Sequence, residues 1–323
     1  MHKIALCLAA TASLAGTARA NDTTAERAAG GLVLTRSDAI DMVSEDLFVS
    51  ADLVRVRYVF RNRTAADVRT TVAFPLPDDD LAEREVRDVA TPRDFATLVD
   101  GKPVRMAVEH KAIANGRDQS ALLASLGVPV TGDMEAKLDA LGKDARKRLI
   151  AAGLVTPDNG GDGSTGHLIP AWTVKETWHW DQRFPAGRDL MVEHRYAPAT
   201  GASVGTDLAL PGFRRSAEGK AYAARYCADA GFLAGIDRLA RAAGRQAAAA
   251  LPEYRVGYVL KTGANWRAPI GSFRLVIDKG APDNLVSFCA DGVRKISPTR
   301  FEVRRSNWRP DRDLDVLIVT PRG

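Results

Sequence analysis

The sequence predicts a mainly β protein with helical insertions, organised as two antiparallel β-sandwich domains. Three observations carry that prediction. In residues 53–62, Val54, Val56, Tyr58 and Phe60 alternate with Arg55, Arg57 and Arg61. This period of two marks a strand with one buried and one wet face. Residues 172–196 repeat the alternation on both sides of Pro185-Ala186-Gly187. From Tyr254 to Val319, short apolar segments are separated by Thr262-Gly263, Asp278-Lys279-Gly280, Asp291-Gly292 and Arg309-Pro310, a spacing that suggests a sandwich.

Residues 1–20 read as a secretory signal. His2 and Lys3 give a positive start, residues 4–17 are apolar and small, and Ala18-Arg19-Ala20 offers small residues at −3 and −1. Cleavage is expected after Ala20, which places the mature chain in the periplasm, an oxidising compartment. It leaves 303 residues (323 minus 20), enough for two domains. No second run approaches the ~20 apolar residues of a membrane span, so no transmembrane anchor is expected. Without Lys3 and Arg19 the net charge falls from +5 to +3, that is 43 basic minus 40 acidic residues. Acids and bases are interspersed, so nucleic acid is not an expected partner.

The first sandwich is expected over residues 21–112. Residues 53–62 and 68–74 form its clearest strand pair, with the turn at Arg61-Asn62-Arg63-Thr64-Ala65. Pro75-Leu76-Pro77 ends the second strand because proline has no N–H for the ladder. Asp100-Gly101 suits a two-residue hairpin between strands near 96–99 and 102–109, since glycine accepts positive φ. A helical segment and Gly-rich linker follow over residues 113–167. Met134, Leu138, Leu141, Ala145, Leu149 and Ile150 recur at helical spacing, and residues 157–166 have the composition of a flexible linker. The second sandwich is expected over residues 168–323. It begins with a second hairpin, in which Trp172, Val174, Trp178, Trp180 and Phe184 share a face. An Ala-rich helical insertion is expected over 213–251.

Several of these segments resemble an uncharacterised secreted bacterial family, domain of unknown function 4424. The matching stretches include Asn21-Asp22-Thr23-Thr24-Ala25, Ala73-Phe74-Pro75-Leu76-Pro77, Phe184-Pro185-Ala186-Gly187, Val192-Glu193-His194-Arg195-Tyr196 and Thr262-Gly263-Ala264-Asn265-Trp266. The resemblance covers nearly the whole mature chain. It implies a secreted or periplasmic protein and carries no activity. Residues 50–126 are also similar to the vault/inter-alpha-trypsin type of β-sandwich, a structural and interaction module. The partner module with an Asp-x-Ser-x-Ser metal motif is missing.

The expected function is therefore non-catalytic, with the β-domains binding a protein partner or envelope component. The alternative is a hydrolase or glycan-binding protein with a His/Glu/Trp cleft. Its residues would be His194, which alternates with Leu190, Val192 and Tyr196 and so points inward, and Glu176 as an inward partner. Trp266 and Trp308, beside Asn265 and Asn307, are the expected exposed aromatics. No catalytic residue is assigned, and neither a metal site nor a cofactor is expected, because no His pair has zinc spacing and no phosphate or dinucleotide motif occurs. Cys227 and Cys289 are the mature chain's two cysteines. An even count in an oxidising compartment predicts a disulfide between them.

Overall fold

The computed structural model describes residues 21–28, 31–83, 92–158, 166–243 and 251–321. The chain is mainly β with helical insertions, and three sheets carry the fold. An eight-stranded sheet runs in the order Arg294–Lys295, Arg300–Trp308, Ile270–Asp278, Ile40–Val49, Val54–Asn62, Asp189–Ala197, Arg93–Val99, Lys102–Pro103. A seven-stranded sheet runs Arg117–Asp118, Ala107–Ala114, Thr173–Phe184, Val68–Pro75, Thr23–Ala28, Gly31–Thr35, with Asp79–Asp80 also on Thr173–Phe184. A four-stranded sheet runs Thr200–Ser203, Glu253–Tyr258, Leu314–Val319, Leu285–Phe288.

The expected boundaries at 112 and 168 do not separate these sheets. Thr173–Phe184 pairs with Ala107–Ala114 on one side and Val68–Pro75 on the other. Asp189–Ala197 pairs with Val54–Asn62. Ile270–Asp278 lies beside Ile40–Val49, in parallel, where an antiparallel neighbour was expected. Strands from both ends of the sequence thus complete the same ladders.

Two expected hairpins are arches instead. Val54–Asn62 and Val68–Pro75 lie in different sheets, as do Thr173–Phe184 and Asp189–Ala197. Each pair faces across the core rather than side by side. The arches are fastened to each other by Asn62, whose Nδ2 donates to the carbonyls of Ala66 (2.8 Å) and Phe184 (2.9 Å) and whose carbonyl accepts from the Gly187 N–H (3.1 Å). The Asp100-Gly101 turn matches expectation. Both residues have positive φ, 48° and 77°, as a turn with the strands' own twist requires.

One face of the eight-stranded sheet carries Val56, Tyr58, Phe60, Leu47, Val192, Leu275, Ile277 and Val303. Against it pack Val72, Phe74, Trp180 and Phe184 of the seven-stranded sheet, and Val256, Tyr258, Val316 and Ile318 of the four-stranded sheet. The two smaller sheets therefore share one core. Helices Ser120–Ser125, Glu135–Asp139 and Lys143–Ala151 bury Leu123, Leu138 and Leu149 with Trp172 and Val174 in a second cluster. The insertion forms helices Pro211–Arg215, Ala217–Arg225 and Ala230–Ala243. Tyr226, Phe232 and Ile236 cover Leu317 and Val319 on the outer face of the four-stranded sheet. The expected end of the insertion, 244–250, and residues 159–165 of the linker lie outside the described residues. Cys227 and Cys289 are bonded, with Cα atoms 5.1 Å apart.

Candidate functional site

Strand length decides where the surface opens. The four-stranded sheet ends at Leu285–Phe288, which among the described residues has a strand neighbour on one side only. The eight-stranded sheet continues beneath and beyond it. The result is a groove of about 1030 Å³ whose floor includes Phe273, Leu275, Phe301, Val303 and Trp308. In the edge strand, Val286 and Phe288 pack toward the shared core, Leu285 packs toward the helices, and Ser287 Oγ donates to the Tyr226 carbonyl at 2.9 Å. The disulfide stands at the end of this strand and also lines the groove.

The groove's rim carries both signs. Lys279 donates to the carbonyls of Pro282 and Asn284, Arg305 to those of Arg304 and Asp291, and Arg309 to those of Ala264 and Arg267. Backbone carbonyls thus fix the donors of all three side chains. Burial, and next the charge of Lys295, holds the Lys279 ammonium below the usual lysine range. Asp229 accepts from the Phe232 N–H, and Asp313 from the N–H groups of Leu260 and Lys261. The rim therefore suits a polar, mixed-charge chain over an apolar floor.

Trp308 is half-buried on this floor, 4.5 Å from the Phe273 ring. The other expected site residues lie elsewhere. Trp266 was expected to be exposed and is fully buried, because its indole Nε1 donates to the Asp22 carbonyl at 2.7 Å and its ring meets Phe60 at 4.6 Å. Glu176 lines a separate cavity of about 330 Å³ with Leu76, Pro77, Val174 and Tyr196. Its carboxylate takes His110 Nε2 at 3.1 Å and accepts from Trp178 Nε1 at 2.7 Å, so its inward partner is not His194.

His194 is fully buried, ringed by Phe74 (4.7 Å), Trp180 (5.5 Å), Phe95 (5.7 Å) and Tyr58 (5.9 Å). Nδ1 meets Thr97 Oγ1 at 2.8 Å, and Nε2 meets Asp22 Oδ1 at 3.0 Å. Burial pushes the Asp22 carboxyl up, while its pairing with His194 pulls it down. The cluster extends through Asn21, whose Nδ2 donates to Glu45 Oε2 at 3.0 Å and whose carbonyl accepts from Thr262 Oγ1 at 2.6 Å. Gly263 leaves the space for Asn21, since a Cβ there would lie 2.6 Å from that Nδ2. Glu45 is pushed up to about 8, first by burial, against the Asn21 hydrogen bond and together with the Asp22 charge. Tyr58 and Tyr258, joined hydroxyl to hydroxyl at 2.8 Å, complete the polar core.

Sequence reasoning missed Asn21, Asp22, Glu45 and Thr97. The signal for the first two lay in Asn21-Asp22-Thr23 and its apparent counterpart Thr262-Gly263-Ala264-Asn265-Trp266, which meet in space. The proposed cleft of His194, Glu176 and tryptophans is divided among the core, the small cavity and the groove. Among the described residues no group of three or more His, Cys, Asp or Glu side chains is placed to hold a metal ion.

No curated protein matches the chain. Among solved structures, a candidate nutrient binding protein of Legionella pneumophila is 16% identical, with 93% of this chain and 70% of that one covered and a TM-score of 0.45. An M1 zinc metallopeptidase from Deinococcus radiodurans is 10% identical, with 88% of this chain and 43% of that one covered and a TM-score of 0.26. A point mutant of that metallopeptidase bound to a Tyr-Ser-Ala substrate gives a TM-score of 0.25 at 10% identity, with 88% and 44% covered. Likenesses this low carry no argument about function. One family profile, described as a domain of unknown function (DUF4424), matches residues 20–317, and the chain belongs to that family.

Proposed function

We propose that this is an exported, non-catalytic binding protein whose groove takes an extended segment of an envelope partner as an added strand. The observation that carries the reading is the mismatch between sheets: among the described residues, Leu285–Phe288 has a second edge that no strand pairs, beside a groove lined by apolar side chains. Such an edge offers backbone donors and acceptors that a partner strand can pair. Each strand–strand hydrogen bond nets about 0.5–1.5 kcal/mol. Alternate apolar side chains of the segment would reach the partly exposed Phe301, Phe288 and Trp308, and its polar side chains would face the Lys279, Arg305 and Asp311 rim. The disulfide holds Cys289, at the end of the edge strand, to the helices, which keeps the edge in place before binding. Cleavage after Ala20 and a periplasmic home belong to this reading, supported by the signal-like residues 1–20 and by two cysteines positioned to bond. No helix among the described residues is long and apolar enough to cross a membrane.

The test uses the mature protein and a nine-residue peptide alternating Val with Lys and Glu. Binding should change Trp308 fluorescence and slow amide exchange at Leu285–Phe288. Phe288→Asp places a carboxylate on the groove wall and should abolish both effects while the protein stays folded by circular dichroism. Exchange at Leu285–Phe288 that is unchanged at saturating peptide would refute strand addition.

A further inference from the structure

The residues that begin the expected mature chain are held as tightly as any in the core. Asn21 and Asp22 are both 0% exposed. Their backbone carbonyls accept from Thr262 and Trp266, and their side chains reach Glu45 and His194. Thr23, next in line, accepts from Asn265 Nδ2 at 3.1 Å. Chain ends are ordinarily frayed and wet, so a terminus buried on three separate segments calls for a cause.

The hydrogen-bond account of the cluster is incomplete in one specific way. Asn21 Oδ1, Asp22 Oδ2 and Glu45 Oε1 are buried acceptors without a donor. An unpaired buried polar atom is destabilising, and three in one place is exceptional. The cluster also holds two carboxyl groups. Among the described residues neither pairs with Lys or Arg; Asp22 has His194, and Glu45 has the neutral Asn21 amide. A compact cation with several donors would complete it.

We propose that signal cleavage supplies it: the α-ammonium of Asn21 is captured in the core by Glu45 and Asp22. Water hydrolyses the Ala20–Asn21 amide under the exporting peptidase. Ala20 leaves with a carboxylate, and Asn21 keeps its nitrogen as an ammonium with three N–H donors. Those donors arise on the residue whose own side chain already touches Glu45 and whose neighbour is Asp22. The uncut chain has one amide N–H and no charge at that nitrogen. Cleavage therefore completes the folded core, and the precursor is left with unpaired acceptors and weaker packing of Thr23–Ala28. The inference rests on the cleavage site assigned under the function above. Its test does not.

The chain 21–323 is released from an amino-terminal fusion by a protease that leaves nothing ahead of Asn21. A free α-amine has a pKa near 7.7–8.0 and reacts with cyanate at neutral pH. In the folded protein, carbamylation of Asn21 read by mass spectrometry should be at least ~10-fold slower than in urea-free unfolded peptide of the same first residues. A second chain carrying Gly-Ser ahead of Asn21 should unfold at lower urea, and Glu45→Gln should shrink that difference. Equal carbamylation rates in folded protein and peptide would overturn the ion pair, as would a Gly-Ser extension without effect on unfolding. Amino-terminal sequencing of the exported protein checks the cleavage site separately. A start other than Asn21 there would overturn the role of export while leaving the measured fate of the Asn21 amine to stand.

Discussion

Removing the Cys227–Cys289 bond tests how the helical insertion is held. The bond closes a loop of 62 residues. For that length the chain-entropy relation gives about 14 cal/mol/K, or about 4 kcal/mol at room temperature. A second effect at Cys227 separates two ways of removing it. Helix Ala217–Arg225 ends in a Schellman turn, with the Cys227 N–H on the Ala224 carbonyl (3.3 Å) and the Ala228 N–H on that of Ala223 (2.8 Å). Cys227 has φ of 51°, at the position where glycine is ordinarily found. A left-handed L-residue costs about 1–2 kcal/mol, and glycine's greater unfolded freedom takes back about 0.4–1. Cys227→Ser with Cys289→Ser should thus lose about 4 kcal/mol, whereas Cys227→Gly with Cys289→Ser should lose roughly 0.5–1 less. Urea unfolding provides the assay. Free energies must be extrapolated to water rather than read from midpoints, because the cross-linked unfolded chain is more compact and lowers the slope. Reduced wild type should coincide with the serine variant. Identical stabilities for oxidised and reduced protein would refute the argument, and so would two free thiols in the oxidised, denatured chain.

Other outcomes follow from the polar core. His194→Ala strips the buried Asp22 and Thr97 of their ring partner and opens space among Phe74, Phe95 and Trp180. It should cost about 3–5 kcal/mol in urea unfolding, and a loss under ~1 kcal/mol would contradict a dry, paired cluster. Gly263→Ala drives a Cβ to 2.6 Å from Asn21 Nδ2 and 3.1 Å from Ile270 Cδ1. It should cost about 1–3 kcal/mol, and much of that should vanish in an Asn21→Ala background, which a double-mutant cycle would read. The pH dependence follows from Glu45, faced by Asp22, Tyr58 and Tyr258, with His194 beyond Asp22. In the uncut chain its carboxyl is raised from 4.5 to about 8, and a Gly-Ser extension, which also leaves an uncharged amide at Asn21, should keep it there. The folded state then holds a proton that the unfolded state has lost, so stability falls as pH rises from 4.5 toward 8, by at most about 1.4 kcal/mol per unit. The free-amine chain keeps Glu45 ionised and lacks that fall, so the gap between the two chains should widen across this window. A gap independent of pH, followed by thermal unfolding, would count against the pairing.

How much of this could be read from the sequence divides along a physical line. Alternation in Val54–Asn62 and Asp189–Ala197 fixes which side chains face inward, because successive residues point to opposite faces. It also placed His194 correctly inside. Alternation does not say which strand lies alongside. Two strands joined by a short loop can pair in one sheet or face each other across a core, and the apolar pattern is the same either way. That is why Val68–Pro75 and Thr173–Phe184 were legible as strands and illegible as arches. The parallel contact of Ile270–Asp278 with Ile40–Val49 spans more than two hundred residues of sequence, beyond any local signal. Trp266 looked exposed because it sits beside Asn265 near a strand end, yet its indole serves the Asp22 carbonyl.

The polar cluster was hidden for a further reason. Asn21 and Asp22 read as the polar start of a mature chain, which by default is solvated. Their burial is dictated by where the first strand lies. Thr23–Ala28 is an inner strand, between Val68–Pro75 and Gly31–Thr35. A strand in that position cannot fray without opening both ladders, so the residues just ahead of it are carried over the core's end beside Glu45 and His194. Polar groups carried there must be paired, and Thr97, Thr262, Trp266 and His194 are the pairs the fold supplies. Three acceptors remain. The position that leaves them unmet in the uncut chain is the position at which cutting creates three donors. The same inner strand therefore sets both the need and the means: it draws the terminus inward, and only a terminus, not a continuing chain, carries the charge that two buried carboxyl groups call for.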